Sequence, residues 1–261
     1  MCGSNAHKQC GCRAVGVVPP PESTSKILNL RQNVLAKNDD YAARNRASFH
    51  RLLMLNVLSS PGSGKTTLIQ RLLRDLSSFC NNDTLPARRR LVRAGVIVGD
   101  LATDRDAERL RQTGTPTVQI TTGNLCHLEA DSVAKAAKQL DVDNLDLLMV
   151  ENVGNLVCPA AYDLGEDLRM VLMSVTEGED KPFKYPTMFK SAQIIVISKS
   201  DLADAVNFQR TEALQALAQI APQAQIFELS ALTGQGLDRF YAYLGRAMVE
   251  KVGGKTLAEV G

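Results

Sequence analysis

One stretch restricts this chain more than any other: the near-continuous apolar run Leu52–Leu58, then Ser59-Ser60-Pro61-Gly62-Ser63-Gly64-Lys65-Thr66-Thr67, then the helical pattern Leu68–Leu76. A run this apolar has no polar face to give to water, so it predicts a strand buried on both sides of a sheet. The glycine-rich segment must turn that strand directly into a helix. The alternation recurs, with strands expected at Val92–Val98, Thr117–Thr121, Leu145–Val150, Leu168–Val175, Ile194–Ile197 and Ile226–Leu229. Helices are expected between them, around Asp104–Arg111, Leu128–Leu140 and Phe208–Ile220, with Leu237–Val249 closing the chain. Alternating strands and helices predict an α/β fold, a mostly parallel sheet of about seven strands with helices on both faces. With aromatics at 5% and no Trp, the core must be aliphatic.

Residues 1–25, rich in Gly, Pro and Ser, read as a flexible tail carrying cysteines. Ile27, Leu30, Val34 and Leu35 recur at helical spacing and predict an N-terminal helix over 26–50, capped by Ser25. The main domain then covers 51–253, and 254–261 form a second tail. Within the domain, Thr176–Pro186 (TEGEDKPFKYP) is charged and interrupted by proline, and is expected as an exposed loop. A formal charge of +2 is too balanced for a nucleic-acid binder that relies on a dominant basic field. No apolar stretch is long enough to cross a membrane, and the polar start MCGSNAHKQCGC has no secretory pattern, so a cytoplasmic protein is expected.

The segment Ser59–Thr67 lies where a phosphate-binding loop must, between a buried strand and a helix N-terminus. Its amides and the helix dipole suit phosphate oxygens, the Lys65 ammonium can neutralise the β/γ charges, and the Thr66 hydroxyl can ligate Mg²⁺. Gly62, Ser63, Gly64, Lys65, Thr66 and Thr67 are the candidate contacts, and Ser59 stands where the P-loop NTPase pattern expects its first glycine. Mg²⁺ and an attacking water need carboxylates at strand ends; Asp100 and Glu151 qualify, and Asp104 reads better as a helix cap. Glu151-Asn152-Val153-Gly154 resembles an Asp-x-x-Gly element, in which the Gly154 amide would sense a γ-phosphate. Ser198-Lys199-Ser200-Asp201 resembles the Asn-Lys-x-Asp guanine-reading motif, with Asp201 accepting from guanine, Lys199 lying along the base and Ser198 in place of Asn. Ser230-Ala231 resembles the element that closes over the base.

Cys126-His127 and Cys158 fall just past the carboxyl ends of expected strands. Two thiolates and an imidazole suit Zn²⁺ or Ni²⁺ and are poor for Mg²⁺; the alternative is a buried free cysteine beside a surface histidine. The N-terminal Cys2, Cys10 and Cys12, with His7 nearby, leave open a second thiolate site or a plain thiol tail. Cys80, His50 and the arginines Arg88–Arg90 and Arg93 match no motif, and the arginines are expected on an exposed loop.

From about Ile27 onward, the segments SSPGSGKTT, GDLATDRDAERL, TTGNLCHLEA, ENVGNLVCPAAYDLGEDLR, SVTEGEDKPFKYP and SKSDL together resemble the HypB family of hydrogenase nickel-incorporation GTPases, in the dimeric metallochaperone branch of P-loop GTPases. The resemblance implies a GTP-hydrolysing nickel metallochaperone acting with a hydrogenase maturation partner on the large subunit of nickel-iron hydrogenase. It implies GTP and GDP as nucleotides, Mg²⁺ beside them, and Ni²⁺ or Zn²⁺ at Cys126, His127 and Cys158. It further implies a homodimer favoured by GTP, with Lys181 reaching the partner's nucleotide. Some members carry Cys-x-x-Cys-Gly-Cys at the N-terminus; here Cys10-Gly11-Cys12 matches its end while Cys2 is displaced. The longer loop costs little, since each doubling of loop length adds about 0.6 kcal/mol. With no arginine finger or water-orienting glutamine evident, slow turnover is expected. The rival readings are a metal-storage or sensing protein, a chaperone for another metalloenzyme such as urease, and a P-loop small-molecule kinase.

Overall fold

The computed structural model describes residues 22–78 and 92–253. Seven strands, β1 (Leu53–Ser59), β2 (Ala94–Asp100), β3 (Thr117–Thr121), β4 (Leu147–Glu151), β5 (Leu168–Ser174), β6 (Ile194–Ser198) and β7 (Gln225–Leu229), make one sheet in the order β3-β2-β4-β1-β5-β6-β7. Every pairing is parallel. All the runs expected as strands are strands, and β1, β4, β5 and β6 are buried at every position, which is why their sequences carry no polar alternation.

The helices are α1 (Glu22–Ser48), α2 (Lys65–Ser78), α3 (Arg105–Arg111), α4 (Ala130–Ala137), α5 (Lys181–Lys184), α6 (Pro186–Lys190), α7 (Arg210–Ile220) and α8 (Leu237–Gly253). Successive residues of β1 point to opposite faces. Leu53, Leu55 and Val57 pack with Leu68 and Leu72 of α2, Leu110 of α3 and Phe240 of α8. Met54 joins Val133, Ala136 and Ala137 of α4, and Leu58 joins Phe189 of α6 and Leu217 of α7. Burial of each such leucine contributes roughly 1.5–3 kcal/mol, so the aliphatic layers fix the helices against the sheet. The connections reverse direction at β1, with β4 on one side and β5 on the other, and this is where an open α/β sheet forms its crevice.

Residues 1–34 form a separate unit, of which the structure describes the helix from Glu22. Ser25 therefore lies inside α1 and is not its cap. In the main unit, the helix is held by polar groups that hydrophobic spacing does not reveal. Asn38 accepts from the Ala130 amide at the start of α4 and donates to Asp163 O, while Asn45 donates to Ala130 O and Leu164 O. Ala42 and Phe49 are buried, whereas Val34, expected on the apolar face, is 48% exposed.

The expected loop 176–186 is also different. It contains α5 and the start of α6, and Val175, Pro182 and Met188 are buried around it. Its charges made it look solvated, yet Lys181 and Glu177 turn inward onto Ser60 and Ser63 of the phosphate loop. Among the described residues no helix is long and apolar enough to cross a membrane.

Candidate nucleotide and metal site

The segment after β1 turns at Gly62 and Gly64, whose φ values of 77° and 96° only glycine adopts without strain, and α2 starts at Lys65. Ser59 has a positive use: its buried hydroxyl accepts from Lys65 Nζ at 3.0 Å and donates to Ser60 O at 2.6 Å. The ammonium is thereby held over the loop, and burial lowers its pKa despite Glu151 nearby. Thr66 Oγ1 donates to Glu151 Oε1 at 2.7 Å.

Glu151 ends β4 and is 3% exposed; burial raises its pKa to about 7 against the opposing pull of Lys65 and Thr66. Its second oxygen, Oε2, is buried without a hydrogen-bond partner. A hydroxyl, a carboxylate with an unused oxygen and Asp100 across the cleft form an oxygen donor set that fits Mg²⁺. These residues line a cleft of about 500 Å³ together with Thr67 and Gly154. Gly154 lies directly on the phosphate loop, for a Cβ there would come within 3.1 Å of Pro61.

Asp100 lines this cleft while its Oδ1 accepts from the Ala102 and Thr103 amides. Asp104 precedes α3 but makes no capping hydrogen bond; it pairs with Arg111 at 2.7 Å. Sequence reasoning missed Asp106 and Arg109, which line the cleft from α3, 3.6 Å apart, with Arg109 Nη2 at 3.5 Å from Thr67 Oγ1. Arg109 thus brings a guanidinium to the cleft from α3, a charge that the motif reading did not include. The i, i+3 spacing puts Asp106 and Arg109 on one flank of α3, but only the burial of Ala107 and Leu110 shows where that flank lies.

The base pocket adjoins the cleft and holds about 270 Å³ between Thr67, Leu68, Ser198, Asp201, Leu229 and Ala231. Ser198 faces the loop more than the pocket interior: its Oγ donates to Ser63 O at 2.7 Å, tying β6 to the phosphate turn. Lys199 adopts φ 57° and its Nζ donates to Gly62 O at 2.8 Å, so its stem spans both chambers. Asp201 is exposed at the mouth, Ser230 Oγ accepts from the Thr233 amide, and Arg71 of α2 holds Ala231 O at 3.2 Å. Lys181 donates to Ser60 Oγ at 3.0 Å of its own chain, and Glu177 accepts from Ser63 Oγ at 2.6 Å.

Cys126 and His127 lie in the turn before α4, and Cys158 opens a short 3-10 turn, Cys158–Ala161. Their ligand atoms all fall within 4.8 Å of one another. A tetrahedral ion at bond lengths of about 2.0–2.3 Å needs donors about 3.3–3.8 Å apart, so small side-chain adjustments close the set. The burial pattern reverses the alternative considered from sequence: His127 is 8% exposed, and both cysteines are half-buried. Both ring nitrogens of His127 lack a hydrogen-bond partner. The ring stacks on Tyr162 at 3.8 Å, and burial lowers its pKa against the pull of Glu129, leaving a neutral imidazole. A hydrogen bond with Cys158, and burial, raise the Cys126 thiol.

Cys2, Cys10, Cys12, His7, Cys80 and Arg88–Arg90 lie outside the described residues. His50 is exposed with Nδ1 3.0 Å from Ala47 O. Arg93 approaches Asp146 at 3.8 Å and donates to Asn144 at 3.1 Å.

Residues 53–228 match the family model described as CobW/HypB/UreG, nucleotide-binding domain. The chain is similar to the hydrogenase maturation factor HypB of Rhizobium leguminosarum bv. viciae, 43% identical over 231 residues that cover 88% of this chain and 73% of that one. It is also similar to the hydrogenase/urease maturation factor HypB of Helicobacter pylori, strain 26695, at 39% identity over 86% of this chain and 89% of that one. The crystal structure of HypB from Helicobacter pylori in complex with nickel superposes with a TM-score of 0.74 at 39% identity, covering 83% of this chain and 97% of that one. With the phosphate loop, the strand-end carboxylates and the paired thiols in place, the chain belongs to the HypB hydrogenase maturation factors, within the CobW/HypB/UreG nucleotide-binding family.

Proposed function

We propose that this protein is a GTP-hydrolysing nickel metallochaperone that assists nickel insertion into the large subunit of nickel-iron hydrogenase. The observation that carries the reading is the juxtaposition of two unlike donor sets on one connection. Glu151, hydrogen-bonded to the phosphate-loop Thr66, and Cys158, grouped with Cys126 and His127, are separated by six residues.

In this reading Lys65 and the loop amides hold the β- and γ-phosphates, and Asp201 selects guanine. Thr66, Glu151 and Asp100 hold Mg²⁺, which when bound neutralises charge on the phosphates. Asp106 and Arg109 face the same cleft, and Arg109 adds positive charge from the α3 side. Turnover falls near the roughly 10⁻⁴–10⁻² s⁻¹ of intrinsic GTPases, so hydrolysis times the delivery of metal. Neutral His127 and the two thiols take up Ni²⁺ as cargo, with Zn²⁺ as the competing ion, and uptake releases the thiol protons. The functional unit is a GTP-favoured homodimer, cytoplasmic, meeting a maturation partner and the hydrogenase; Lys181 must leave Ser60 to reach across such a dimer.

The relative named as a hydrogenase/urease maturation factor supports a second reading, a chaperone that serves urease also. One experiment tests the main proposal: metal analysis and GTP turnover on the same purified sample, with and without nickel, in the unaltered protein and Lys65→Ala. The proposal requires slow turnover that Lys65→Ala abolishes, together with failed hydrogenase activation in cells carrying that variant. Full activation by Lys65→Ala would instead make the protein a metal store.

A further inference from the structure

The connection from Glu151 to Cys158 touches the phosphate loop through Glu151 on Thr66 and Gly154 on Pro61; of the two residues between, Val153 lines the cleft and Asn152 lines neither site. It is 2% exposed, and its backbone amide donates to Val57 O at 3.0 Å, the last sheet bond of that chain segment. Its side-chain oxygen accepts from the Leu128 amide at 3.2 Å and from Val153 at 3.0 Å. Its side-chain nitrogen donates to Asn56 at 3.3 Å, and Asn56 donates in turn to Glu166, which is paired with Arg169 at 2.7 Å. Buried amides are costly unless bonded, and here both halves of the Asn152 amide are used. Leu128, the residue after His127, also packs into the space above Gly99, where a Cβ would approach it to 2.8 Å. The Cys126–His127 turn is thus tied to the frame of the sheet.

Cys158 is held differently. It lies between Gly154, which rests on Pro61, and Ala160, whose carbonyl Arg169 holds at 3.2 Å; Arg169 also holds Tyr162 O at 2.9 Å. Across to the other ligands run side-chain contacts rather than backbone bonds to the sheet: the hydrogen bond between Cys126 and Cys158, the stacking of His127 on Tyr162 at 3.8 Å, and a long contact from Asn155 Nδ2 to Cys126 O at 3.4 Å.

We propose that Asn152 is a positioning residue that anchors the Cys126–His127 turn to the end of β4, so that displacement of Gly154 towards a γ-phosphate moves Cys158 against a stationary Cys126–His127 pair. The inference rests on the reading that nucleotide and metal sites communicate. If they do, linkage makes the effect reciprocal, and metal alters the preference between GTP and GDP by the same factor.

The test measures Ni²⁺ affinity in the full chain with Cys2, Cys10 and Cys12 replaced by Ser, once with GDP and once with a non-hydrolysable GTP analogue. The reference protein is expected to show a difference of about tenfold, and Asn152→Ala to bring it within about twofold. The ratio is the readout, because general loosening of the fold lowers both affinities together. Amide exchange in the reference protein needs no variant: Leu128 should stay equally protected in both nucleotide states, while Val157 and Cys158 change. A tenfold ratio that survives in Asn152→Ala, or a Leu128 amide that opens in one state, overturns the inference alone. Equal affinities in the reference protein remove communication between the sites and the inference with it.

Discussion

The nucleotide cleft and the thiolate site lie side by side yet are built in opposite ways. Lys65, Thr66, Asp100 and Glu151 stand at strand ends or at a helix start, and three of them already bond one another or the loop. Cys126, His127 and Cys158 stand on turns, and the His127 ring nitrogens have no hydrogen-bond partner. A site on the rigid edge of a sheet can hold charge in a set geometry before its ligand arrives, and a site on turns can change its geometry when a neighbour moves. That contrast matches a catalyst beside a cargo site that must both take and release its ion.

The largest expected effect strikes the cleft. Asp201→Asn should weaken GTP binding by about a hundredfold, since hydrogen bonds to a charged group contribute roughly 1.5–3 kcal/mol each, and should improve binding of xanthosine triphosphate, which offers a carbonyl where guanine donates. Unchanged GTP affinity, measured by calorimetry, would take Asp201 out of the site.

A smaller effect should separate the two regions cleanly. Cys158→Ala should lower Ni²⁺ affinity at the described site by at least about tenfold, and replacing Cys2, Cys10 and Cys12 together should remove a distinct class of Ni²⁺ binding. Neither change should alter GTP turnover by more than about threefold, as steady-state phosphate release would report. Collapse of turnover in either variant breaks the contrast, because the metal ligands would then belong to the catalytic unit.

The smallest effect concerns stability. Glu151 titrates near pH 7 in the folded nucleotide-free protein against a reference of 4.5, so the folded state prefers it protonated. Its contribution is fully present below pH 4.5 and is lost as pH rises through 7. Between pH 6 and pH 8 this amounts to about 1 kcal/mol, a fall in Tm of about 3 °C, and Glu151→Gln should flatten that slope. Lys65 is common to both proteins, so an equal slope in the variant assigns the pH dependence elsewhere.

The sheet was legible because strands buried on both faces must be apolar throughout, and the phosphate loop because its glycines, lysine and threonine occupy fixed positions after such a strand. What lay hidden was side-chain direction. Asp106 and Arg109 looked like two more charges on a polar helix, since nothing in a seven-residue helix says which flank meets the cleft. Glu177 and Lys181 were read as solvated because charge and proline are common in loops, while their hydroxyl partners, Ser63 and Ser60, lie more than a hundred residues away. Separations of 92 and 85 residues likewise hid the hold of Asn38 and Asn45 on α4. His127 was a surface residue in one reading because its burial depends on Tyr162, contributed by a different turn.

The serine at the start of the phosphate loop carries a consequence for nucleotide exchange. In a loop with glycine at that position, departure of nucleotide leaves the lysine to find water or another anion. Here Ser59 offers its own oxygen to Lys65, so the ammonium has a resting place between successive ligands. Under the proposed function, exchange at the lysine is then a substitution of one oxygen for another. Under the proposed slow turnover, the time between cycles goes to holding nucleotide rather than to rebuilding the cradle.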